Sequence, residues 1–142
     1  MLRSIRRPVL AVAAAAAFAA AGCDSGDTPT DPSDPGPTPP AITETFTGSL
    51  TANAGQSFNF GATAAGSVTA TLTAITPDTT IVGLALGTWN GTICQVILAN
   101  DNAGRGITVT GQASQGGSLC TRIYDVGQIG GSITFTITVV HP

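Results

Sequence analysis

The sequence is poor in positive charge and in aromatic side chains. Its 142 residues contain five arginines and no lysine, together with a single histidine, tryptophan and tyrosine. Nucleic-acid binding requires clustered Lys and Arg to neutralise phosphates, so this composition argues against a nucleic-acid partner and against electrostatic docking on anionic lipid. With one Trp and one Tyr, the chain also offers few aromatic rings on which a sugar could stack.

The N-terminus combines a basic tip with a short apolar run. Arg3, Arg6 and Arg7 precede the uncharged stretch Val9 to Ala21, which is shorter than the about 20 residues that span a bilayer. These features are typical of a signal peptide. The run ends in Ala20-Ala21-Gly22-Cys23, which resembles the lipobox of bacterial lipoproteins, with Ala20 at a position where Leu is usual.

The lipobox resemblance implies cleavage before Cys23, diacylglycerol on its thiol and an acyl chain on its new amine. Two or three acyl chains give stable anchoring, whereas one binds only marginally. The alternatives are a plain secreted protein with an unmodified Cys23 and a retained membrane helix. Lipidation predicts an exported protein held at the cell membrane or the outer membrane, with its domain in the periplasm or at the cell surface.

Cleavage divides the chain into a signal peptide (1–22), a lipidated Cys with a linker (23–41) and a domain (42–142). Only two arginines then face eight acidic residues, a net charge of −6. The stretch Asp24 to Ala41 holds six of the nine prolines and four Asp, so we expect it to be disordered and extended. At about 3.1 Å per residue it would hold the domain up to ~50 Å from the anchor.

The domain sequence has the period-two alternation of half-buried strands. Apolar residues alternate with threonine, whose branched Cβ favours strands while its hydroxyl faces water. Eight short strands predict an all-β antiparallel sandwich or jelly roll. They are centred on Phe46–Leu50, Phe58–Phe60, Ser67–Thr73, Val82–Leu86, Thr92–Leu98, Ile107–Thr110, Leu119–Val126 and Ile133–Val139.

Turn residues separate the predicted strands. Asn90-Gly91 predicts a two-residue type I′ hairpin, which needs positive φ at both positions. Thr76-Pro77-Asp78-Thr79 predicts a type I turn with Pro presetting φ. Gln115-Gly116-Gly117 and Gln128-Ile129-Gly130-Gly131 punctuate the later strands.

Cys94 and Cys120 remain once Cys23 is assigned to lipid. An exported protein meets an oxidising compartment, so we expect the two to form a disulfide that contributes about 3 kcal/mol. A redox or metal-binding pair is disfavoured, because the spacing is not C-x-x-C and no His or third thiol stands nearby.

The domain resembles the bacterial pre-peptidase C-terminal (PPC) domain, a β-sandwich often appended to secreted proteases and other exported proteins. The resemblance rests on Glu44–Leu50, Gly66–Leu72, Gly117–Asp125 and Ile133–Ile137, which run across most of residues 42–142. Such domains often have an Asp-rich strand where this chain has Thr79–Leu84 without an acid, so the calcium role of that strand does not carry over. The resemblance implies an accessory domain that works with a secreted hydrolase.

Candidate catalytic and ligand residues are few. His141 lies next to the C-terminus and is expected to fray, which disfavours a Ser-His-Asp enzyme, and nothing in the sequence places two of the carboxylates Glu44, Asp78, Asp101 and Asp125 together as a glycosidase pair would require. Asn100-Asp101-Asn102 lacks the ligand spacing of calcium loops, which favours a plain turn over a metal site.

Three further side chains have a predicted role, and only for Trp89 does the choice lie between binding and structure. Trp89 either stacks a sugar ring or packs at the core edge, and packing is favoured. Arg122 and Asp125, in the seventh predicted strand, are most simply surface or paired charges. We expect no cofactor besides the lipid on Cys23.

Three function classes remain: an interaction module that binds an envelope protein or glycan, a passive envelope component, and an enzyme, which the residue inventory disfavours. The first is the sequence-based interpretation, with a carbohydrate-binding module or an accessory domain of a secreted hydrolase as alternatives.

Overall fold

Eight antiparallel strands in two four-stranded sheets make up the fold, as a computed structural model describing residues 37–142 shows. The first sheet has the strand order β1-β8-β3-β6 and the second has β2-β7-β4-β5. The predicted all-β sandwich is confirmed. The strands are β1 (Ile42–Leu50), β2 (Gly55–Ala62), β3 (Gly66–Thr76), β4 (Val82–Trp89), β5 (Cys94–Ala103), β6 (Thr108–Ala113), β7 (Gly117–Tyr124) and β8 (Ile133–His141).

The core lies between the facing sides of the two sheets. In β3 and β8 apolar residues alternate with threonine, and all of these apolar residues except Ala74 and Val140 are buried. Phe58 of β2 stacks on Phe46 with ring centroids 5.0 Å apart and meets Phe135 edge-on at 6.1 Å. The period-two pattern therefore places one face of each sheet inside, as the sequence predicts.

The loop between β4 and β5 differs from the predicted type I′ turn. Four residues, Asn90 to Ile93, connect the strands, and of these only Gly91 has a positive φ, at 98°. The Asn90 Oδ1 accepts hydrogen bonds from the backbone N–H groups of Thr92 (3.0 Å) and Ile93 (2.9 Å). The two-residue prediction is wrong because the Asn90 side chain accepts the hydrogen bonds that form the turn. Asn90 therefore does not adopt the left-handed backbone conformation that a type I′ turn requires.

The turn after β3 begins one residue later than predicted. Thr76 still pairs with Thr134 of β8, so the strand continues to that residue. The hydrogen bond that closes the turn runs from the Thr80 N–H to the Pro77 carbonyl at 3.1 Å. The Thr76–Pro77 peptide bond is cis.

The polar triplet Asn100-Asp101-Asn102 lies in β5 and not in a loop, so the predicted plain turn is wrong. β5 remains paired with β4 through Asn100 opposite Leu84 and Ala103 opposite Val82. A register shift between these two pairs leaves an extra residue on β5. Such a bulge lets a strand continue through residues that would otherwise disturb the alternation of its faces.

His141 does not fray. It is the last residue of β8, pairs with Ile42 of β1 and is buried, with 1% of its surface exposed. Its Nε2 lies 3.0 Å from a carboxylate oxygen of Glu44, and its Nδ1 lies 3.1 Å from the Pro142 carbonyl oxygen. The Phe60 ring packs against the imidazole at 5.0 Å, so terminal position alone was a poor guide to its environment.

Candidate interaction surface at the β5 edge

β5 is an edge strand of the second sheet. It pairs with β4 on one side and with no described strand on the other. Half of its backbone N–H and C=O groups therefore face outward, and such a row of groups is a template for pairing with another chain.

The exposed apolar side chains concentrate on this edge. Among residues 37–142, seven large apolar side chains are exposed, and four of them fall within residues 93–98. Ile93 exposes 57% of its surface and Ile97 exposes 67%, with Val96 and Leu98 beside them. Isolated exposed apolar residues are ordinary, whereas a contiguous apolar patch is a candidate interaction site.

Apolar side chains lie on both faces of β5. Leu98 stands opposite the core residue Leu86, and Val96 stands opposite Gly87. The register shift between these pairs leaves Ile97 as the extra residue on β5. Because strand neighbours alternate between faces, Val96 lies on the outer face while Leu98 lies on the inner face.

A small apolar cavity of about 70 Å³ opens between β5 and the neighbouring edge strand β6 of the other sheet. Ile97 and Leu98 of β5 line one side of it, and Gly111 and Ala113 of β6 line the other. A Cβ on Gly111 would lie 2.9 Å from the Leu98 Cδ1. The glycine therefore leaves room for Leu98 beside β6.

The edge carries no charge along the stretch from Trp89 to Asn100. Exposed edge strands are usually protected by Lys, Pro or an inward-pointing charge. β5 has no Lys and no Pro; it has two register shifts and, at its far end, Asp101. The edge therefore lacks the charges that would repel an apolar strand.

The predicted disulfide between Cys94 and Cys120 is confirmed. It joins the first residue of β5 to β7, with the two Cα atoms 5.7 Å apart. The start of β5 lies over Gly87, because a Cβ there would be 2.1 Å from the Gln95 carbonyl oxygen. That close approach brings Cys94 within reach of Cys120, and the bridge fixes the start of the apolar edge to the sheet.

The other end of β5 is held by a polar contact that the sequence analysis did not find. The Tyr124 hydroxyl of β7 donates a hydrogen bond to the Asp101 carboxylate. Burial, followed by the bond to Asp101 and its negative charge, raises the pKa of Tyr124 to about 12. The residues are 23 positions apart, and only the strand order β7-β4-β5 brings them together.

Asp125 organises the loop after β7. One carboxylate oxygen accepts the Asn53 N–H at 2.8 Å, and the other accepts the N–H groups of Gly127, Gln128 and Ile129. The bond from Asn53, with those from the other three residues, lowers the pKa of Asp125. The residue was expected in the seventh strand as a surface or paired charge, whereas it follows β7 and caps a loop through backbone N–H groups.

Trp89 is the last residue of β4, opposite Cys94, and is half-buried. Tyr124 stands opposite Gly83 near the other end of β4, about 20 Å away for six residues of strand. The two aromatic residues therefore do not form a single stacking platform for a glycan.

The outer face of the first sheet is an uncharged threonine surface. Its hydroxyl groups bond across strands, as between Thr71 and Thr108 (3.0 Å) and between Thr73 and Thr138 (3.3 Å). Cross-strand threonine pairs stabilise a sheet and face water at little cost. This face exposes mainly hydroxyl groups, whereas the β5 edge exposes apolar side chains.

Each domain carboxylate has its own partner, and none of the four faces another. Within the part of the chain described here, no group of three or more His, Cys, Asp or Glu side chains could hold a metal ion. The four pairs are Glu44 with His141, Asp78 with Arg105 (3.4 Å), Asp101 with Tyr124, and Asp125 with backbone N–H groups.

Cys23 and the rest of the proposed signal peptide and linker up to residue 36 lie outside the described residues. From residue 37 onward, the chain contains no helix suited to crossing a membrane. No known protein family matches the chain, and no curated protein matches it either. The fold defines the class as a two-sheet β-sandwich, and the PPC resemblance stays a prediction.

Proposed function

We propose that this chain is a lipid-anchored cell-envelope protein whose β-sandwich is a non-catalytic interaction module, and that it binds a protein partner along β5. The observation that carries the proposal is the uncharged β5 edge, with four exposed apolar side chains at residues 93–98 and an adjoining apolar cavity. An extended peptide added to β5 would satisfy its outward backbone groups and place an aliphatic side chain in the cavity.

The chemistry of the polar groups supports a non-catalytic role. A hydrolase of the glycosidase type needs two carboxylates on either side of one bond, whereas the carboxylates here are engaged separately. His141 is buried between Glu44, Phe60 and the Pro142 carbonyl, so it has no open side for a substrate. The tyrosine hydroxyl with the raised pKa is bonded to Asp101 and is a poor acid or base near neutral pH.

The anchor is supported by the sequence features at the N-terminus. A basic tip, a short apolar run and the lipobox-like Ala20–Cys23 precede a Pro- and Asp-rich stretch. Lipidation of Cys23 would leave the linker as a spacer between membrane and domain. Mass measurement of the N-terminal peptide from native membranes tests this point, with a diacylglyceryl Cys23 at the first position as the expected result.

A capture experiment tests the interaction module. The chain starting at Asp24 would be immobilised and exposed to separated protein and polysaccharide fractions of its own envelope. We expect one defined protein to be retained, lost with Ile97→Lys and kept with Ile42→Lys, because Ile42 is an exposed isoleucine on the edge strand β1 of the other sheet. Equal retention by both variants would contradict binding at β5.

The glycan alternative gives a different result in the same experiment. Retention of polysaccharide that Trp89→Ala abolishes and Ile97→Lys leaves unchanged would assign the domain to the carbohydrate-binding class. Absence of any retained component would favour a passive envelope protein and would contradict the proposal.

A further inference from the structure

The shape of the apolar edge restricts the geometry of its partner. Val96 and Leu98 lie on opposite faces of the same edge strand, with Ile97 between them. A flat surface docked on one face would leave the other face in water. A strand that continues the sheet covers both faces at once, because its own side chains alternate.

The partner strand must itself be apolar and uncharged. Within residues 37–142, three other strands lie at sheet edges, and apart from Ile42 at the start of β1 their exposed side chains are polar. β1 and β6 present threonine, and β2 presents Gln56, Ser57 and Asn59. Among the edge strands of this chain, the one whose exposed side chains best match those of β5 is therefore β5 of a second copy.

We propose that β5 pairs antiparallel with β5 of a second copy of this chain, about a two-fold axis near Ile97. This inference rests on the proposed function, because it names the partner of the same edge. The two second sheets then form one continuous eight-stranded sheet, and each copy presents the same patch to the other, as a two-fold interface requires.

Charge supports this pairing. The domain holds four acidic residues and two arginines, so two copies repel wherever their acids meet. A two-fold axis at Ile97 places the two Ile97 side chains beside each other and Asp101 opposite Ile93 of the second copy. No acid then faces an acid along the pair of strands, and the central contacts are apolar.

The path of the chain leaves this edge open. The described residues enter the fold at Ile42 in β1, which lies at the far end of the first sheet from β6, whereas β5 lies beside β6. Within residues 37–142, the chain therefore leaves the outer side of β5 uncovered.

Sedimentation of the chain starting at Asp24 tests the dimer. This segment contains all eight strands, the disulfide and the core. We expect a concentration-dependent dimer whose dissociation constant rises at least about a hundredfold with Ile97→Lys, because each dimer loses both central isoleucine side chains and buries two positive charges in their place. Ile42→Lys, with the same change of side chain on β1, should leave the constant unchanged.

Mixing two variants separates loss of the interface from loss of folding. Ile97→Lys and Ile97→Glu should each be monomeric, and an equimolar mixture should form a heterodimer because the two-fold axis places Lys and Glu opposite each other. A wild-type chain that remains monomeric up to about 1 mM, or a dimer that persists in Ile97→Lys, would overturn the inference.

The outcome also separates this inference from the proposed function. A monomeric chain that still captures an envelope protein through Ile97 would leave the proposed function standing and remove the dimer. A chain that dimerises through Ile97 and captures nothing else would support the dimer and contradict a heterologous partner.

Discussion

Gly83→Ala should detach Tyr124 from the surface of the second sheet. A Cβ at Gly83 would lie 2.2 Å from the Tyr124 Cε2 and Cζ atoms, closer than any real contact, so the ring has to move. Its displacement breaks the hydrogen bond to Asp101, which holds the far end of β5. The substitution therefore tests the contact that links β7 to the edge strand.

The cost follows from the two interactions that change. Overpacking costs about 1–3 kcal/mol, and the bond to a charged acceptor contributes at most about 1.5–3 kcal/mol, less here because both groups are partly solvated. We expect a loss of about 2–4 kcal/mol, equivalent to a fall in Tm of about 8 °C or more for a domain of this size. Urea unfolding and thermal melting measure both quantities.

A second measurement identifies the cause. The pKa of Tyr124 is raised to about 12 by burial and by Asp101, so in Gly83→Ala phenolate absorbance should titrate closer to the ordinary value of 10. The matched control is Gly61→Ala, since a Cβ on Gly61 in β2 meets nothing within 4 Å and alanine stabilises strand interiors by about 0.5–1 kcal/mol. If Gly83→Ala were as stable as Gly61→Ala and Tyr124 still titrated near 12, the described packing would be wrong.

Three further predictions concern the ends and turns of the same sheet. Replacing Cys94 and Cys120 by alanine should lower the free energy of unfolding by about 3.5 kcal/mol, judged by urea unfolding, because the bridge closes a loop of 26 positions; no change would show that the bridge does not restrict the unfolded chain. Gly87→Ala should cost more than Gly83→Ala and slow closure of the disulfide, since its Cβ meets the Gln95 backbone and not a movable side chain; normal thiol oxidation would contradict this. The lowered pKa of Asp125 means that its contribution to stability is present above its ordinary value of 3.8 and is lost as the pH falls through the lower folded value, so Asp125→Asn should be less stable than wild type at neutral pH and equal to it in strong acid.

The strands themselves were predictable because their burial follows a local pattern. β3 and β8 alternate threonine with apolar residues along almost their whole lengths, and most of these apolar residues are buried. The disulfide was predictable from the number of cysteines and the expected compartment. Neither inference required knowledge of which strands lie side by side.

The features that the sequence did not predict depend on the order of the strands in the sheets, or on side chains that accept hydrogen bonds in place of backbone carbonyl groups. The Asn90 side chain replaced the expected turn geometry, and β5 continued through a polar triplet because β4 pairs with it there. The Tyr124–Asp101 contact joins β7 to β5, and the apolar cavity lies between edge strands of two different sheets. The exposed character of Ile97 likewise follows only from its place on an edge strand.

Cross-linking within the native envelope tests most directly whether β5 is the interaction surface. A photoreactive amino acid would replace Ile97 in the full chain, with the same replacement at Ile42 as the control. Binding along β5 predicts a defined adduct from position 97 and none from position 42. An adduct of twice the chain's mass would identify the partner as a second copy. No adduct from position 97, or equal adducts from both positions, would contradict the claim.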